Sequence, residues 1–135
     1  RVHLLYGAGR AGYLYELAAF EALGVRTVAA TDDGSRGFQG NVVQLLRREW
    51  DEGRLPRAVR LLACGPERML EAVAHLAEEH ALDCWLSLET WMGCGVGICN
   101  GCAVFTRSEG DLGAWPVAKC CVEGPVFRAD AVRLP

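Results

Sequence analysis

The chain has 135 residues, enough for one ordinary domain or for a domain piece with a small appendage. Hydrophobic residues make up 51% of it, sufficient for a core, yet charges or glycines interrupt every apolar run short of membrane-spanning length. A formal charge of −3 with no basic cluster or tail argues against nucleic acid and leaves a protein partner open.

Val2 to Tyr6 reads as a buried strand, followed by a helix from about Gly12 to Leu23 with Leu14, Leu17 and Phe20 on one face and Gly24 as its stop. Because Arg1 already stands in that apolar run, the chain is read as the C-terminal part of something longer. Val25 to Thr31 is the second expected strand, ending in the turn Asp32-Asp33-Gly34-Ser35. A second amphipathic helix is expected from Gln39 to about Trp50, carrying Val42, Val43, Leu46 and Trp50, with Gly53 to Pro56 breaking it. Ala58 to Ala63 gives a third strand. Cys64-Gly65-Pro66 then turns into a helix reaching about His80, with proline well placed at its start. Cys84 to Leu88 is the fourth strand. Alternating strands and helices imply parallel strands and right-handed crossovers. Residues 1–88 are therefore read as part of a doubly wound parallel α/β sheet.

The character changes after Glu89. Glycine and cysteine crowd residues 93–102; Ala103–Thr106 and Val117–Cys121 read as short strands around a polar turn, Ser108 to Gly113. Val126 to Leu134 is an irregular tail with strand-like pieces. Residues 89–135 thus form a small β-rich unit, of the size at which a bound metal replaces missing core.

Cys94, Cys99 and Cys102 give C-x4-C-x2-C, and a fourth cysteine follows at Cys120 or Cys121. With Gly93, Gly95, Gly97 and Gly101 threaded through it, this is the plant-type spacing of a [2Fe–2S] cluster. Such a loop must bring backbone N–H groups near the sulfurs through conformations that side chains hinder. Zinc also takes four cysteines, but its sites usually pair two C-x2-C-like knuckles and only one is present. Seven cysteines form an odd set, and no secretory signal opens the chain. Both features fit a reducing, cytoplasmic compartment better than a disulfide framework.

Gly7-Ala8-Gly9-Arg10-Ala11-Gly12 matches G-x-G-x-x-G between a strand and a helix, and Asp32 lies about twenty residues on, where an acid binding ribose would sit. The alternative is a plain glycine-rich turn. Cys64-Gly65-Pro66 stands at the carboxyl end of a strand, the edge where open α/β sheets bind ligands; position alone favours a tight turn with a small thiol. Cys84 reads as core, His3 as packed, and His75 and His80 as solvated. Trp91 and Trp115 flank the cysteines, and packing is their expected role over shielding a cluster or facing a partner.

Ser87-Leu88-Glu89-Thr90-Trp91-Met92-Gly93-Cys94 through Cys102, followed by Cys121-Val122-Glu123-Gly124-Pro125-Val126-Phe127, resembles the electron-transfer subunits of dihydroorotate dehydrogenase B. Residues 1–88 are similar to the later part of the ferredoxin-reductase-like NAD-binding domain in that family, with Thr31 to Ser35 and Cys64-Gly65-Pro66 in matching places. The resemblance implies Cys94, Cys99, Cys102 and Cys121 as ligands, with Cys120 a neighbour. It implies nucleotide contacts at Asp32, Cys64, Gly65 and Pro66. It also weakens the pyrophosphate reading of Gly7 to Gly12, because the family's phosphate loop follows an earlier strand. The FAD-binding barrel and first NAD strand are absent, and the insertion before Cys121 is longer than usual.

By the same resemblance, the expected function is passage of electrons from NADH through FAD and a [2Fe–2S] cluster to an FMN-containing catalytic subunit, in a heterotetramer serving pyrimidine biosynthesis. Thiolate-held clusters of this type lie near about −400 mV, and the glycine N–H groups are expected to raise that value. A related flavin/iron–sulfur reductase subunit with a ferredoxin or hydrogenase partner is the alternative. A zinc-stapled binding module without redox function is the alternative from another class. The segment alone is expected to be inactive.

Overall fold

The computed structural model describes residues 1–56, 58–107, 112 and 115–134. They form two compact units, 1–57 and 58–135. The fold is mixed α/β, built from three small sheets and three α-helices among the described residues.

In the first unit, β1 (His3–Ala8) runs parallel to β2 (Arg26–Thr31), in register from His3↔Arg26 to Ala8↔Thr31. Between them the chain makes a 3-10 turn, Ala11–Tyr13, and then α1 (Leu17–Ala22). The sequence predicted one helix from Gly12 to Leu23. Instead Leu14 is extended, and Glu16 takes a left-handed conformation with φ 58°. Leu17 is the only buried residue in that stretch; Phe20 is exposed and Leu14 half-buried. A short helix depends on burying an apolar face, and Gly12, Tyr13 and Tyr15 are weak helix formers, so nothing sustains the first turns.

A short strand, β3 (Phe38–Gln39), pairs in parallel with β2 and was not foreseen. It leads into α2 (Val42–Asp51). Asn41 and Gln44 close a capping box there: the Gln44 N–H donates to Asn41 Oδ1 at 2.9 Å, and the Asn41 N–H donates to Gln44 Oε1 at 3.0 Å. The helix buries Leu45, Leu46 and Glu49. Its start lies so close to β1 that a Cβ on Gly7 would come within 2.8 Å of Val42 Cβ. Gly7 is thus a packing glycine, whereas an added Cβ at Gly12 would meet nothing within 4 Å.

In the second unit, β4 (Arg60–Cys64) and β5 (Asp83–Ser87) run parallel around α3 (Glu67–Glu79), which buries Leu70, Val73, Leu76 and Ala77. Pro66 caps that helix from the position just before its first residue. After β5 come the cysteine segment, β6 (Ala103–Thr106) and β7 (Val117–Lys119), then β8 (Val126–Arg128) and β9 (Val132–Arg133). β8 returns antiparallel to the free edge of β5, Ser87 opposite Val126, giving the order β4-β5-β8. β6, β7 and β9 form the third sheet, antiparallel, in the order β7-β6-β9.

The four strands expected in residues 1–88 are present as two parallel pairs, one in each unit. Cys84 is core as expected, and burial pushes its thiol up to about 11. The polar turn expected over Ser108 to Gly113 lies outside the described residues except for Leu112. Among the described residues, no helix is long and apolar enough to cross a membrane.

Candidate metal centre

The cysteine segment leaves β5 where the Leu88 N–H donates to the Pro125 carbonyl at 2.9 Å, so its start is tied to the residue just before β8. Within it, Gly95 and Gly97 take positive φ, 66° and 82°. This winding turns backbone donors inward. The Cys99 N–H donates to Cys94 Sγ at 3.3 Å. Donors from Val96, Cys99 and Ile98 together stabilise the Cys94 thiolate and pull that thiol down to about 6.

A turn after β7 delivers the fourth sulfur. Cys121 Sγ and Cys102 Sγ stand 3.2 Å apart and share a hydrogen bond. The Cys121 N–H and thiol lower Cys102, while the Cys102 thiol and burial raise Cys121 against the opposing Gly97 N–H. Cys120 turns the other way. It is fully buried, and its Sγ donates to the Leu88 carbonyl at 3.6 Å.

The sulfurs stand as two pairs, Cys94 with Cys99 and Cys102 with Cys121, and a charge on Cys94 is felt at Cys121. Among the described residues, no group of three or more His, Cys, Asp or Glu side chains is arranged to hold a metal ion. The donor set nevertheless fits an iron–sulfur cluster: four thiols, with peptide N–H groups directed at the sulfurs.

Two features of the loop had no signal in the sequence. Lys119 Nζ donates to the Gly97 carbonyl at 2.6 Å, across 22 positions. A Cβ on Gly97 would come within 2.7 Å of Val122 Cγ2, so the turn after β7 packs directly on this glycine. The tryptophans also depart from expectation: Trp91 is 93% exposed and Trp115 78%, so neither packs the small domain. With Met92, Val96, Ile98 and Val122, Trp91 leaves apolar surface exposed along the cysteine segment and the turn after β7.

The other sequence candidates lie elsewhere. Asp32 follows β2, exposed, its N–H donating to the Ala8 carbonyl at 3.1 Å. Nearby, the Ala11 N–H donates to Ser35 Oγ at 2.7 Å, tying the glycine-rich turn to the turn after β2. Cys64 is exposed at the carboxyl end of β4. At Gly65, φ is 155°, and a Cβ would come within 2.8 Å of Met69 Cε. His75 and His80 are exposed and His3 is half-buried.

Residues 89–133 match the family described as the iron–sulfur cluster binding domain of dihydroorotate dehydrogenase B. Over 133 residues the chain is 41% identical to the dihydroorotate dehydrogenase B (NAD(+)) electron transfer subunit of Enterococcus faecalis, covering 98% of this chain and 48% of that one. Over nearly its whole length this chain is similar to that electron-transfer subunit family. The Geobacillus thermodenitrificans subunit is 39% identical over 133 residues, covering 98% of this chain and 47% of its own length. The chain spans about half the length of the curated relatives it matches. In fold it is similar to a chain of an NADH-dependent reduced ferredoxin–NADP oxidoreductase, solved in a study of flavin-based electron bifurcation. The TM-score is 0.75 at 24% identity, with coverage of 99% of this chain and 45% of that chain.

Proposed function

We propose that this chain is the cluster-bearing part of a subunit carrying electrons from NADH, through FAD, to the FMN-containing catalytic subunit of a dihydroorotate dehydrogenase. The observation that supports this reading is the pairing of Cys102 with Cys121 and of Cys94 with Cys99 inside the segment that matches the cluster-binding family. Cys94, Cys99, Cys102 and Cys121 are the proposed ligands. The burial of the Cys120 sulfur against Leu88 supports Cys121 as the fourth member of the set.

A [2Fe–2S] cluster held there supplies one-electron transfer between flavins that exchange electron pairs with their substrates. The chain's own contribution is the four thiolates, their N–H donors and a loop held at both ends by sheet. Protein supplies position and potential; the organic chemistry belongs to the cofactors.

Asp32, Cys64, Gly65 and Pro66 are proposed as the nucleotide-facing positions, each at the carboxyl end of a parallel strand in its own unit. The proposed architecture is part of a doubly wound NAD-binding domain over residues 1–88, followed by a cluster domain over 89–135. The exposed Trp91 and Ile98 support docking of the cysteine loop on a protein partner, since exposed apolar clusters of this kind mark interaction sites. A cytoplasmic heterotetramer completes the proposal.

Anaerobic purification with iron and acid-labile sulfide analysis tests it, together with visible and EPR spectra before and after dithionite. Two irons and two sulfides per chain, with a rhombic signal on reduction, are expected. A colourless protein holding stoichiometric zinc would replace electron transfer with a structural staple.

A further inference from the structure

Lys119 ends β7 two residues before Cys121 and is half-buried. Its backbone is fixed on both sides. The Lys119 N–H donates to Glu123 Oε2 at 2.6 Å, and its carbonyl accepts the N–H groups of Val122 and Glu123, each at 2.9 Å. From this anchored position its Nζ reaches the Gly97 carbonyl at 2.6 Å. Gly97 lies inside the C-x4-C segment, in a left-handed conformation against Val122, and its N–H faces Cys121 Sγ. Ordering a lysine side chain costs substantial rotamer entropy, so a short charge-assisted bond to one loop carbonyl requires a reason.

We propose that Lys119 is a positioning residue for the cluster: its ammonium pins the Gly97 carbonyl so that the loop keeps its N–H groups on the sulfurs, and its charge favours the reduced state. The inference rests on the cluster reading above. Reduction of such a centre takes one electron, from a reduced flavin, and breaks no bond. The site becomes more negative by one charge. A fixed cation two residues from a ligand lowers the energy of that state more than that of the oxidised state. The carboxylate of Glu123 opposes this effect only in part, because it is exposed to water and already bonded to a backbone N–H.

The test compares wild-type protein, carrying its cofactors, with K119Q, K119M and K119R. Each is purified anaerobically, assayed for iron and sulfide, and titrated potentiometrically with EPR detection. Loss of the charge in K119Q and K119M is expected to make reduction about tenfold less favourable, a fall of about 59 mV for a one-electron couple. K119R should titrate close to wild type. Loss of iron from K119Q and K119M, with retention in K119R, would equally support the positioning role. A K119Q protein titrating with the wild type, or loss of the cluster from K119R as well, overturns it. Wild-type protein lacking iron and sulfide overturns the cluster reading itself, before any variant is compared.

Discussion

Glu49 lies in the core of the first unit with its carboxylate between Arg26 and Arg54, 2.7 Å from a guanidinium nitrogen of each. Burial alone would raise this carboxyl, but hydrogen bonds and charge from Arg54 and Arg26 outweigh it and hold the group below the usual carboxylate range. The folded state therefore binds fewer protons here than the unfolded chain does. The resulting stability is present above the unfolded value near 4.5 and is lost as pH falls through the lower folded one. Glu49→Gln is expected to cost about 1–3 kcal/mol at pH 7 and to flatten the fall of the urea midpoint below about pH 5. Parallel profiles for the two proteins would show that the pairing contributes nothing. Among the cysteines, Cys121→Ser should lose most bound iron. Cys120→Ala should keep it while losing about 1 kcal/mol of stability from a fully buried site. Iron content against urea midpoint separates the two roles. Three of the proposed ligand positions could be picked from spacing because Cys94, Cys99 and Cys102 are close in sequence. Spacing could not choose between Cys120 and Cys121, since the side on which each sulfur emerges is decided by the turn after β7. The role of Lys119 was invisible for a similar reason: its acceptor is 22 residues away.

Elements with strong local signals formed as the sequence predicted. α2 combines a capping box with a buried face, and α3 opens after Pro66 and carries four buried apolar residues. Asn41→Ala should therefore cost about 1 kcal/mol, read as a lowered thermal midpoint. α1 failed because periodicity is only a promise of burial, and here just Leu17 is covered. The glycine-rich turn misled in another way. Gly7 fits a nucleotide fingerprint, yet what requires a glycine there is Val42 at the start of α2. Gly7→Ala is expected to destabilise the first unit by about 1–3 kcal/mol through overpacking, in protein without any nucleotide. An unchanged midpoint would return Gly7 to the list of ligand-facing residues. The pairing of β8 with β5 could not be read from sequence, because three residues carry no register and the partner strand lies beyond the whole cysteine segment.

For the molecule as a whole, the mixed α/β character and the cluster-binding segment were both legible. The exposed face was not, since aromatic residues in a small domain are usually consumed by its core. Trp91 and Ile98 remain 93% and 84% exposed, and exposed apolar surface of this kind marks interaction sites. Trp91→Ser combined with Ile98→Ser should leave folding and iron content intact while weakening co-purification with the proposed FMN-containing partner by at least about tenfold. Undiminished co-purification would move the docking surface elsewhere.

The pairing of Ser87 with Val126 makes residues 88–125, which carry the cysteine segment and the third sheet's first two strands, an excursion that departs from and returns to adjacent strands of one sheet. The entropy of bringing its ends together is thus settled by backbone pairing, independently of whether metal is present. Stripping the site should therefore loosen amides 94–102 to hydrogen exchange while those of Trp85 and Leu86 stay protected. A protein built this way is expected to release a cluster and take it up again without unfolding its sheet. Repair after oxidative damage then becomes a local event, limited by the supply of iron and sulfide.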